Sequence, residues 1–170
     1  TPDGNPLIGP VRGLPGFVQC CAFSFGIAQA GGAGHVAAQW IVDGTPPWDV
    51  WSCDALRFGD YATSAYTLER ARELYRREYA IAYPNDEWPG GRPAYETPLR
   101  SDLAQRGARF GARGGWERAT WFQRPGHEED DSPTFRRPGW LGAVAEECLA
   151  VRDEVGFMDM GGFTKLRVQG

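Results

Sequence analysis

Residues 17–44 constrain this chain more than any other stretch. Phe17–Phe23 is an unbroken apolar and thiol run, the pattern of a strand buried on both faces. Ser24-Phe25-Gly26 follows as a turn, and a helix is predicted from about Ile27 to Val42 with Gly44 just beyond its end. Gly31, Gly32 and Gly34 lie inside that helix and each costs roughly 1 kcal/mol against alanine, so a close backbone or ligand approach is expected to offset them. Gly31-Gly32-Ala33-Gly34 is no phosphate loop. It lies too far along the helix and lacks the GxGxxG spacing at a strand end.

The remainder is mixed helix and strand with frequent turns. Thr1–Gly16 is rich in Gly and Pro around a short apolar step at Leu7-Ile8. Asp43–Pro47 resembles a domain exit, and Trp48, Trp51 and Phe58 are expected to pin the irregular stretch after it to a surface. Thr67 is read as the cap of a helix reaching about Tyr79, with Leu68, Ala71, Leu74 and Tyr75 inward and the charges solvated. Pro84–Pro98 is a second connector. Leu99–Arg106 is a short helix, Ala108–Ala112 a strand and Gly114–Arg118 a turn. Trp140–Glu154 is a helix with Val144, Cys148 and Val151 inward and Gly156 as its cap, followed by strands at Phe157–Asp159 and Phe163–Val168.

Composition excludes several classes. A net charge of −4, with the arginines dispersed, argues against a general nucleic-acid binder. No apolar run approaches the ~20 residues of a membrane-crossing helix. Cys20, Cys21, Cys53 and Cys148 form no CxxC, and His35 and His127 stand outside any metal-ligand spacing, so no metal is expected and the thiols are read as buried and free. His127–Asp131 is an acidic surface loop without the alternating ligands of a calcium site.

Taken in order, several stretches resemble one family. They are Thr1-Pro2-Asp3-Gly4-Asn5-Pro6-Leu7-Ile8-Gly9, Leu14-Pro15-Gly16-Phe17, Ala22-Phe23-Ser24-Phe25-Gly26-Ile27, Ala30-Gly31-Gly32-Ala33-Gly34 and Trp40-Ile41-Val42-Asp43-Gly44. The series continues through Tyr83-Pro84, Gly91-Arg92-Pro93, Pro98-Leu99, Gly115–Phe122, Phe135-Arg136-Arg137 and Val155–Met160. The chain is similar along its whole length to the dimethylglycine dehydrogenase and sarcosine dehydrogenase family.

That resemblance implies an α/β (mixed α+β) architecture in three parts. Residues 1–46 would close a D-amino-acid-oxidase-like FAD domain, 47–98 would form a central linker domain, and 99–170 would begin an aminomethyltransferase-like, folate-binding domain. The absent initiator Met, the missing dinucleotide fingerprint and the hairpin-like last residues lead to the expectation of an internal junction piece, inactive alone. The parent would oxidise a small N-methyl amine, of dimethylglycine or sarcosine type, with FAD. It would pass the one-carbon unit to tetrahydrofolate and its electrons to an acceptor the sequence does not identify. No nucleic-acid or membrane partner is expected. The arginine bias, with Lys165 the only lysine, leans to a bacterial cytoplasm, and a eukaryotic parent would be mitochondrial.

The resemblance assigns Ser24, Phe25, Gly26 and Ile27 to flavin contact. A helix start presents unpaired N–H groups and about half a positive charge, which suits the flavin edge where negative charge grows. Asp3 and Gly4 are placed near the substrate, with Gly4 read first as serving the turn itself. Asp159 either lines the folate channel or caps a turn, and Trp116 and Trp121 are core or interface aromatics. No catalytic acid or base stands out. The regulatory subunit of pyruvate dehydrogenase phosphatase shares the architecture, and a non-catalytic relative of that kind is the alternative.

Overall fold

The structure, a computed structural model, describes residues 1–170. It is a mixed helix-and-strand chain that forms two compact units, Thr1–Tyr79 and Ala80–Gly170.

The first unit begins with an antiparallel hairpin of β1 (Leu7–Val11) and β2 (Leu14–Cys21). Leu7 pairs with Cys21 and Pro10 with Val18, and a bulge then shifts Val11 onto Leu14. Helix α1 (Gly26–Asp43) returns across the hairpin and ends at Gly44, whose φ of 76° frees its N–H to bond Trp40 O. Ile8, Ala33 and Val36 form the core, ringed by Phe23, Trp40, Val50 and Cys53. Gly9 makes this packing possible. A Cβ there would lie 2.8 Å from the Trp40 ring, and φ is +125°.

β2 is not buried on both faces. Leu14 and Phe17 are each more than half exposed, because β1 is its only ladder partner and α1 leaves these residues uncovered. The thiols follow the strand: Cys20 and Cys21 are exposed, as is Cys148, and Cys53 is half-buried. An apolar run specifies a strand but not what covers it. Nor does anything stand against Gly31, Gly32 and Gly34; a Cβ on any of them would meet open space. The offset expected for their helical cost is absent from these residues.

Two single-turn 3₁₀ helices, Trp51–Cys53 and Ala55–Arg57, lead to α2 (Ser64–Arg77). Trp48 stacks on His35 at 5.6 Å yet stays, like Trp51, over half exposed, so these aromatics pin the connection only loosely. The cap of α2 is Thr63, not Thr67: Thr63 has the extended backbone a cap needs, and its hydroxyl accepts from Tyr66 N at 3.2 Å. The inner face turns with it. Leu74 packs inward while Leu68 and Tyr75 are exposed, and Arg70 and Glu73 pair half-buried at 3.3 Å instead of facing solvent.

In the second unit, α3 (Arg100–Gln105) precedes an antiparallel hairpin of β3 (Ala108–Arg113) and β4 (Trp116–Phe122). The turn is only Gly114-Gly115, both with positive φ, so Trp116–Arg118 belongs to a strand. α4 (Leu141–Asp153) packs on β4 and ends at Glu154, not Gly156; Ala143 is buried while Cys148 and Val151 are exposed. Phe157–Asp159 and Phe163–Val168 are not strands. Phe157, Leu166 and Val168 are exposed, and no strand of this unit offers them a ladder.

Candidate functional site

The register of the first hairpin decides which residues share an end. Because Leu7 faces Cys21, the segment entering β1 and the segment leaving β2 lie beyond the same end of the hairpin. Asp3 and Gly4 are on the first segment, and Ser24, Phe25, Gly26 and Ile27 on the second.

Ala22 turns the chain out of β2 with φ of 62°, a left-handed conformation that a non-glycine residue adopts at a cost. Phe25 occupies the N-cap of α1 but supplies no side-chain bond, and the first turn holds no acidic residue. The first N–H groups of α1 therefore stand uncapped by any side chain. Around them Ser24 and Gly26 are exposed, Phe25 is half exposed and Ile27 is 98% exposed. A Cβ on Gly26 would meet nothing within 4 Å, so a flat group can approach the backbone. The nearby Cys20 thiol is pushed above its ordinary value by desolvation and, secondarily, by Cys21.

Asp3 and Gly4 are held firmly. Both Asp3 carboxylate oxygens accept from Arg57, Nε at 2.8 Å and Nη2 at 2.9 Å, and Oδ1 also accepts from Asn5 N. Arg57 further donates to Asn5 O, Pro6 O and Asp54 O, so all five of its N–H groups are used, and its side chain is 5% exposed. Gly4 has φ of +80° and packs on Leu74, leaving no room for a Cβ. Sequence reading missed Arg57. It lies 54 residues from Asp3, and no local pattern joins the two.

In the second unit, Asp159 caps a turn: it accepts from Gly161 N at 2.8 Å and from the buried Thr97 hydroxyl. Lys165 closes the same turn by donating to Met160 O and Gly161 O. Trp121 is buried against Trp140, and Trp116 lies against Tyr95 at 5.1 Å. Glu129 of the acidic loop is held well below the ordinary carboxylate range by its bond to Arg124. No group of three or more His, Cys, Asp and Glu is gathered in a way that could hold a metal ion. No helix is long and apolar enough to cross a membrane.

Comparison with known proteins gives these features a class. Residues 43–95 match the FAD dependent oxidoreductase central domain, and residues 99–170 match the GCVT N-terminal domain. The chain is 34% identical over 170 residues to mitochondrial dimethylglycine dehydrogenase of Rattus norvegicus, covering all of this chain and 20% of that protein. It is 33% identical over 197 residues to human mitochondrial sarcosine dehydrogenase, again along its whole length, which is 22% of that protein. Over 173 residues it is 32% identical to the mitochondrial pyruvate dehydrogenase phosphatase regulatory subunit of Mus musculus, covering 99% of this chain and 20% of that protein. Along its whole length the chain is similar to dimethylglycine and sarcosine dehydrogenases. It spans about a fifth of the length of these relatives.

Proposed function

We propose that this chain is part of an FAD-dependent oxidoreductase that demethylates a small N-methyl amine of dimethylglycine or sarcosine type. The observation that carries the reading is the uncapped start of α1 behind the strained Ala22 turn. Strain persists where surrounding structure holds it, and it gathers at functional sites.

The residues there fit a flavin edge. Gly26 leaves the backbone open, the N–H groups of the first turn have no side-chain acceptor, and Ser24 adds a hydroxyl donor. Bound FAD would supply the two-electron acceptor. The chain's own contribution is to aim fixed N–H dipoles at the ring edge that gains negative charge, and such donors need no reorganisation during the reaction. Phe25 and Ile27 would wall the ring from water. Asp3 and Gly4 would border the amine from the neighbouring segment.

Residues 99–170 would open the folate-binding half, with tetrahydrofolate taking the one-carbon unit. That step rests on the GCVT N-terminal domain match. A second reading, a regulatory protein without catalysis, is favoured by the similarity to the phosphatase regulatory subunit.

The test uses the intact protein that contains this chain. Its visible spectrum is recorded, and dimethylglycine or sarcosine is then added without oxygen. A band near ~450 nm that bleaches supports the oxidoreductase, and the amine that bleaches it faster is the substrate. A protein that takes up no flavin when FAD is supplied sinks the oxidoreductase and leaves the regulatory reading.

A further inference from the structure

We propose that Arg57 is a positioning residue of the amine site, acting through the Asp3–Pro6 segment. The inference rests on the functional reading above and deepens it. Arg57 lies within residues 43–95, matched to the central domain, yet most of its bonds reach a segment that precedes this match, 51 to 54 residues earlier.

Its five donors meet five acceptors: both oxygens of Asp3, the carbonyls of Asn5 and Pro6, and the carbonyl of Asp54. Asp54 anchors the arrangement. It caps its own 3₁₀ turn by accepting from Leu56 N at 2.7 Å and bridges to Ile8 of β1. The clamp thus ties Asp3, Asn5 and Pro6 of one loop to the turn that bridges to the following strand.

Leu74 fills the space at Gly4. The segment is fixed twice over, and it is fixed at the hairpin end from which β2 leads into α1. This arrangement does what an amine pocket requires, which is to hold one wall at constant distance from a wall built on a different segment. Displacement of about 1 Å at such a site can cost on the order of a hundredfold.

The experiment uses the intact, flavin-loaded enzyme and three variants. Arg57→Lys keeps the charge but loses the planar fork, Asp3→Asn keeps the shape but loses the charge, and the third combines both. KM for the amine is read beside flavin content, because KM does not depend on how much protein is folded. The expected result is a KM raised about tenfold in each single variant, with flavin content unchanged and the double variant no worse than the poorer single one. The surface substitution Arg72→Lys leaves KM alone. An unchanged KM in Arg57→Lys and Asp3→Asn, in an enzyme whose wild type is reduced by the amine, overturns this inference and leaves the functional reading standing. Fully additive effects overturn the claim that Arg57 acts through Asp3. A wild-type flavin that no N-methyl amine reduces overturns the functional reading, and this inference with it.

Discussion

In the Thr1–Tyr79 unit one guanidinium, that of Arg57, gathers five acceptors, and the core is apolar around Ile8, Ala33 and Val36. In the Ala80–Gly170 unit charges run along the β3–β4 hairpin. Arg92 forks onto the buried Glu117 with two bonds of 2.7 Å and reaches Phe110 O, Glu87 accepts from Ala112 N and Arg113, and Arg124 joins Glu129 and Glu146. The first unit keeps a bare, uncapped helix start beside a single rigid clamp. The second invests its polar groups in holding its own hairpin together. The proposed site lies in the first unit, and the second unit's ion pairs are read as architecture.

That contrast can be broken most forcefully at Glu117. Its side chain is 4% exposed, so Glu117→Ala removes both 2.7 Å bonds of the half-buried Arg92 guanidinium. The expected loss is about 3–5 kcal/mol, read from the denaturant midpoint of the intact protein. A shift under about 1 kcal/mol would mean that the hairpin does not rely on this pair.

Gly9→Ala tests the apolar unit. The new methyl meets the Trp40 ring in a backbone conformation that favours glycine, and the expected cost is about 1–3 kcal/mol. An unshifted thermal midpoint would show that Trp40 can move aside freely.

Thr63→Ala removes the α2 cap for about 1 kcal/mol, whereas Thr67→Ala leaves stability almost unchanged. Equal losses would mean that the two hydroxyls share the cap.

The smallest effect is a pH dependence. Arg124 holds the Glu129 carboxyl below its ordinary value, so the contribution of this pair is full above the ordinary carboxylate range and fades as pH falls through the lowered value. Glu129→Gln is expected to flatten the acid limb of unfolding in that window and to change nothing in the slope near neutrality. A neutral-range slope that moves with this substitution would refute the sign.

Regular elements were the legible part. Helix α1 differs from its sequence reading by one residue at each end, since a strand, a Gly-marked turn and a terminal glycine are all local signals. The cap of α2 was misplaced because Thr63 and Thr67 offer the same chemistry and only backbone conformation separates them. β4 was not read at all, its first residues being given to the glycine-marked turn, and the strands after α4 were inferred from side-chain pattern where no partner strand exists in the unit. Of the candidate site, Ser24–Ile27 were assigned by the family resemblance, local punctuation giving only the strand–turn–helix that holds them. Arg57 and Glu117 were not found, because their partners lie 54 and 25 residues away and pairing across such distances leaves no periodicity to read.

The arginine clamp also bears on how this sequence can drift. Lys165 is the only lysine, so most of the basic positions are filled by arginine whether or not they need it. Many, like Arg72 on its exposed helix face, would serve as well with an ammonium. Arg57 would not, because a lysine offers three donors from a single nitrogen and cannot span five acceptors spread around a planar fork. In a lineage whose codon usage restored lysine elsewhere, this is the codon that selection would hold in place.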